Sequence, residues 1–60
     1  MNISLDDIRS KAPEGATHYD IEDGYVFYWV LTEKGFSFYN AWCNVWYLEN
    51  TDGKEIKPLN

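Results

Sequence analysis

Tyr25-Val26-Phe27-Tyr28-Trp29-Val30-Leu31 is the stretch on which the reading of this 60-residue chain turns. It is strand-like, and strand alternation puts Tyr25, Phe27, Trp29 and Leu31 on one face and Val26, Tyr28, Val30 and Thr32 on the other. Both faces are rich in apolar and aromatic side chains, whereas a small sheet usually covers only one. Ten of the eleven aromatic residues fall between Tyr25 and Tyr47, a stretch whose only charged side chains are Glu33 and Lys34. A domain of this size buries only about 60% of the surface its unfolded chain exposes. The surplus is expected to be covered by a second subunit, a partner or a ligand, which predicts a binder rather than a catalyst.

Turn chemistry places the neighbouring strands. Asp23-Gly24 just before the run is the strongest hairpin signal in the chain, because both central residues of a type I′ turn need positive φ. It predicts a first strand over Thr17–Ile21, fed by a turn at Pro13-Glu14-Gly15, and a second from Tyr25 to about Thr32. Glu33-Lys34-Gly35 is the next reversal, with Gly35 suited to a left-handed bulge position. A third strand starts at Phe36, with Phe36, Phe38 and Asn40 on one face and Ser37 and Tyr39 on the other. Beyond Asn40 two readings stay open: Trp42–Leu48 as a fourth strand, or the third strand continuing through a bulge. Asn50-Thr51-Asp52-Gly53 reads as a turn, and Lys54–Asn60 as a short edge strand closed off by Pro58.

Ahead of the strands, Ser4 can cap a helix, with Asp7 three residues on as a capping-box variant and Ile3 and Ile8 at the two staple positions. Asp6 and Asp7 suit the start of the helix dipole and Arg9 and Lys11 its end. Leu5, Ile8 and Ala12 share a face, and Pro13 restricts Ala12 away from helical geometry. The predicted fold class is α+β: one short N-terminal helix over about residues 4–12, then a three- to five-stranded antiparallel β-meander over about 17–57. The chain is one domain, and Phe27, Trp29, Phe36 and Phe38 are expected as its core beneath the helix.

Composition narrows the function classes. Ten acids against five bases give a net charge of -5, and Arg9, Lys11, Lys34, Lys54 and Lys57 are scattered. That argues against direct nucleic-acid binding, which needs Lys and Arg in a patch. The charge reads first as what keeps an aromatic-rich domain soluble, with a basic partner or nucleic-acid mimicry as the sharper alternatives. Cys43 is alone, so no intrachain disulfide forms, and one Cys with one His makes no typical metal site. Short chains often need a staple, and oligomerisation, a dimer foremost, is the one left. No cofactor is expected.

The start of the chain has neither a basic region nor an apolar core, and the longest apolar run falls far short of the roughly 20 residues that span a bilayer. A cytoplasmic protein without membrane contact is expected, and a chain that begins at methionine reads as a complete small gene product.

Four groups of side chains bear on chemistry. His18 lies on the same strand face as Asp20 and opposite Tyr19, and reads as a residue that caps or pairs within the hairpin rather than as a base. Cys43 has no cation nearby in sequence and reads as a small buried hydrophobe or a subunit contact. Asp20, Glu22 and Asp23 lack the further oxygen ligands of a calcium loop and read as a solvated hairpin tip, with a contact to a basic partner as the functional alternative. No catalytic residues are assigned. The aromatic set Tyr25, Tyr28, Tyr39, Trp42, Trp46 and Tyr47 divides between core and surface, and its exposed members are the candidate partner-binding or oligomer interface.

One segment carries a resemblance. Lys11-Ala12-Pro13-Glu14-Gly15-Ala16-Thr17-His18-Tyr19-Asp20 resembles the opening of very small accessory proteins of tailed bacteriophages. These share an Ala-Pro-x-x-Ala-Thr-His-Tyr start, Trp/Tyr-rich strands split by Gly turns, and a Lys-Pro-Leu type ending. Here the later parts are Tyr25-Val26-Phe27-Tyr28-Trp29, Gly35-Phe36 and Ile56-Lys57-Pro58-Leu59. The resemblance covers most of the chain after Ser10, with Ala-Thr-His-Tyr its distinctive portion, and breaks at Asn40-Ala41-Trp42-Cys43-Asn44. It implies an accessory gene, of a kind that often encodes inhibitors of host enzymes or of antiphage defence acting by stoichiometric binding. It implies no catalytic residues.

The leading expectation is therefore an acidic inhibitor of a host or defence protein. A sponge for a nucleotide signal is the first alternative, with an aromatic pocket at an oligomer interface and Lys34, Lys54 or Arg9 on the phosphate. A structural virion component is the second.

Overall fold

In the computed structural model, which describes residues 4–60, Asp23 and Gly24 take φ values of 52° and 81°. This folds β1 (His18–Glu22) onto β2 (Tyr25–Thr32), with Glu22 opposite Tyr25 and His18 opposite Trp29. At the next reversal Gly35 takes φ 119°, a conformation that a side chain would strain. The Thr32 hydroxyl locks that turn by donating to the Gly35 carbonyl (3.0 Å) and accepting from the Lys34 amide (3.2 Å).

β3 (Gly35–Asn40) returns along β2, and a four-residue turn leads to β4 (Val45–Leu48). Of the two readings for this region the fourth strand is the one present, starting three residues after Trp42. Asparagine chemistry makes the turn. The Asn40 side-chain oxygen accepts from the Trp42 and Cys43 amides (2.9 and 3.3 Å), and Asn44 takes φ 55°. β5 (Lys57–Pro58) completes a five-stranded antiparallel sheet in the order β4-β3-β2-β1-β5. The first four strands form the expected meander, but the fifth crosses back to lie outside β1.

α1 (Leu5–Ser10) is capped by the Ser4 hydroxyl, which accepts from the Asp7 amide at 3.2 Å. It ends two residues before the expected boundary at Ala12: the Lys11 amide closes the last turn on the Asp7 carbonyl, and Pro13 follows. The Ile3 half of the staple lies outside the described residues.

The helix covers the face of the sheet that carries Tyr28, whose hydroxyl donates to the Ile8 carbonyl at 2.8 Å. Ile8 and Leu59 are buried there. Leu59 is held by its amide on the Thr17 carbonyl and by Arg9 Nε on its own carbonyl. The set Phe27, Trp29, Phe36 and Phe38 is therefore not beneath the helix, as the sequence led us to expect, but on the opposite face. Its cover comes from the segment after β4, where the Lys54 ammonium stands 5.9 Å from the Trp29 ring centre.

The physical reason is that β2 is apolar on both sides, so each side takes a separate cover. Trp29 is the centre of the second layer, 2% exposed, with Phe36 and Phe38 meeting it edge-on at 6.4 and 5.6 Å. Burying an indole of about 200 Å² at about 25 cal/mol per Å² contributes about 5 kcal/mol before entropy is counted. Among the described residues no helix is long and apolar enough to cross a membrane.

Candidate functional site

The ladder between β2 and β3 runs only from Trp29 opposite Phe38 to Thr32 opposite Gly35. Tyr25–Tyr28 pair with β1 alone, and Tyr39 and Asn40 pair with β4 alone. Where the two strands separate, a groove of about 600 Å³ opens. Val26, Phe27 and Tyr28 line one wall, Phe38, Tyr39, Asn40, Ala41 and Trp42 the other, and Lys11 and Pro13 close the end beside the helix. Lys11 is the only charged residue in this lining. Hydrogen bonding alternates along a strand, and the Glu22–Tyr25 hairpin pair directs the odd-numbered groups of β2 toward β1. The amide and carbonyl groups of Val26 and Tyr28 therefore face the opening.

Three of the six expected aromatic contact residues meet in this groove. Tyr28 is half-buried and fastened to α1, and burial raises its phenol above the usual value of 10.0. Tyr39 packs on Trp46 with ring centres 4.9 Å apart and donates its hydroxyl to Asn44 Oδ1 at 2.7 Å. Trp42 is 96% exposed at the lip, held out by the Asn40 turn. A large apolar side chain so placed has no role in the fold visible in its own contacts. Trp46 supports Tyr39 from behind, whereas Tyr25 and Tyr47 are exposed on the Trp29 face, outside the groove.

The acidic trio separates. Asp20 is 4% exposed and accepts from Trp29 Nε1 at 2.6 Å, so it belongs to the core and not to a solvated tip. Glu22 pairs with Lys54 at 3.4 Å on the surface, and Asp23 occupies the turn. Only Glu22 and Asp23 remain on the surface for a basic partner. Of the bases considered for a phosphate, Lys54 is engaged by Glu22 and Trp29 and Arg9 by Asp6 and Leu59.

His18 Nδ1 lies 2.7 Å from Thr17 Oγ1 and its ring meets Phe36 edge-on at 5.0 Å, which is a packing role within the hairpin. Cys43 is exposed in the β3–β4 turn, not buried. Among the described residues no group of three or more His, Cys, Asp or Glu gathers as a metal site. What the groove offers is recognition: apolar walls, outward main-chain groups and one cation.

Lys11, Pro13 and Val26 escaped the reading of the sequence as site residues. Pro13 was visible as the turn that ends the helix, but only the tertiary fold brings that turn against the end of β3. No protein-family model, curated protein or solved structure matches this chain.

Proposed function

We propose that this chain is a small binding protein that inhibits a host or antiphage-defence protein by stoichiometric occlusion, with the groove beside Trp42 as its contact surface. The observation that carries the reading is a tryptophan 96% exposed at the lip of an apolar groove about 600 Å³ in volume. Tryptophan and tyrosine dominate interface hot spots because they bring large area and a polar tip at low rotamer cost. An apolar side chain of the target enters between Tyr28 and Tyr39, Trp42 closes over it, and Lys11 meets a carboxylate or carbonyl at the rim. The phage character of the proposal is supported by the sequence resemblance alone, whose distinctive portion is Ala16-Thr17-His18-Tyr19.

The test is affinity purification from a bacterial host with the intact chain and with Trp42→Ala, which removes a side chain that packs on nothing. One dominant protein held in equimolar amount by the first and lost by the second supports the reading. Identical capture by both refutes it.

A nucleotide sponge has one observation in its favour, the presence of Lys11, Tyr39 and Trp42 in the same groove. Saturating ligand at one hundred times Kd adds about 2.7 kcal/mol of stability. A thermal-shift screen of nucleotides in which nothing raises the melting temperature removes that reading. Presence of the protein in purified particles would instead favour a structural virion role.

A further inference from the structure

β4 forms one outer edge of the sheet. The Glu49 amide donates to the Phe36 carbonyl at 3.1 Å, so the odd-numbered residues of β4 bond to β3. The amides and carbonyls of Trp46 and Leu48 consequently point outward. Proteins blunt such an edge with charge, proline, a bulge or brevity. The opposite edge, β5, is blunted in three of these ways: it has two residues, one is Pro58 and the other is the charged Lys57.

β4 carries neither charge, proline nor bulge, and with four residues it is twice as long as β5. Asn44-Val45-Trp46-Tyr47-Leu48 carries no charge within a chain of net charge -5, and Val45, Tyr47 and Leu48 are exposed.

We infer that β4 pairs with β4 of a second copy, antiparallel about a two-fold axis at Trp46, joining the two five-stranded sheets into one. Two conditions limit the register. A two-fold axis perpendicular to the sheet keeps each face on its own side, so facing residues must lie on the same face. The outward groups belong to Trp46 and Leu48, the Asn44 amide already donating to the Asn40 carbonyl at 2.8 Å, so these two must carry the hydrogen bonds across the axis. Trp46 opposite Trp46 meets both conditions, leaves the Asn44 carbonyl to accept from the Leu48 amide, and sets Val45 against Tyr47 on the Trp29 face.

The register centred on Tyr47 also satisfies the alternation, but it places Val45 against the Glu49 carboxylate. The occupant is a second copy and not an unrelated strand because this run is complementary to itself under the two-fold. It is also the stretch of edge along which two acidic chains meet without opposing charges. This pairing does not depend on the identity of any target.

Sedimentation of the intact chain at high micromolar concentration tests the inference, the expected species having twice the 7.1 kDa chain mass. A monomer there overturns it. The register is tested by two double variants with equal disruption. Val45→Lys with Tyr47→Lys sets like charges opposite each other across the axis and is expected to be monomeric, whereas Val45→Lys with Tyr47→Glu sets opposite charges and is expected to remain a dimer. If both sediment alike while circular dichroism shows both folded, the edge or its register is wrong.

A third variant guards against loss of fold in these two. Trp46→Cys in a Cys43→Ser background is expected to cross-link under mild oxidation, since hydrogen-bonded antiparallel partners sit about 5.5 Å apart at Cα, within disulfide reach. A dimer that gives no cross-link overturns the axis position.

Discussion

Replacing Asp20 by alanine tests the reading of the Trp29 layer most directly. The Asp20–Trp29 hydrogen bond is 2.6 Å long, buried, and made to a carboxylate acceptor. Hydrogen bonds to charged groups are worth about 1.5–3 kcal/mol, and a buried donor left without a partner costs about 1–3 kcal/mol. Asp20→Ala removes the acceptor and strands the indole N–H, so a loss of about 2–3 kcal/mol is expected. A domain of this length holds about 3–9 kcal/mol in total at about 0.05–0.15 kcal/mol per residue, so the variant is left marginal. At about 4–8 °C per kcal/mol the melting temperature falls by roughly 8–24 °C.

Asp20→Asn keeps an acceptor oxygen in the same place and is expected to lose less than half as much. The assay is thermal and urea unfolding at matched protein concentration, followed by tryptophan fluorescence. A double-mutant cycle with Trp29→Phe isolates the pair, with an expected coupling of about 1.5–3 kcal/mol. Additivity within about 0.5 kcal/mol, or an Asp20→Ala variant as stable as the parent, would refute the buried bond.

Four further outcomes are expected. Tyr28→Phe loses the bond to the Ile8 carbonyl and should speed amide hydrogen exchange in α1 while leaving the strands protected. Because burial holds the folded phenol above 10.0, the stabilisation from neutral Tyr28 is complete below about pH 10 and drains away as pH rises through the higher folded value. Alkaline unfolding of the parent compared with Tyr28→Phe reads this out, the parent showing the steeper loss. Asn44→Ala forces a non-glycine φ of 55° on alanine and removes the Tyr39 partner, so urea unfolding should show a cost of about 1–3 kcal/mol. Trp42→Ala should leave the unfolding free energy from urea titration within about 0.5 kcal/mol of the parent, as a side chain without packing partners must.

Much of the fold was legible because it rests on rules that act within a few residues. Ser4 caps Asp7, Asp23-Gly24 supplies two positive φ values, Gly35 absorbs a third, and two-residue alternation sorts β2 into its two faces. The candidate site was legible only in part. The aromatic type of its residues was visible, but Tyr28, Tyr39 and Trp42 gather while Tyr25 and Tyr47 do not, and Lys11 and Pro13 joined from the far side of the chain. Asp20 misled because an acid beside Glu22 and Asp23 looks like a solvated turn until the strand register brings the Trp29 indole over it.

The sequence by itself determined where the chain turns and which residues share a strand face, since steric limits on φ and the pleat are properties of neighbours along the chain. Only the tertiary structure decided that α1 covers Tyr28, that the segment around Lys54 covers Trp29, that β5 returns to β1, and that β2 and β3 separate to open the groove. With β2 apolar on both faces, no local rule ranks the covers. Segments distant in the chain compete for the two faces, and their summed burial and hydrogen bonding decide the outcome.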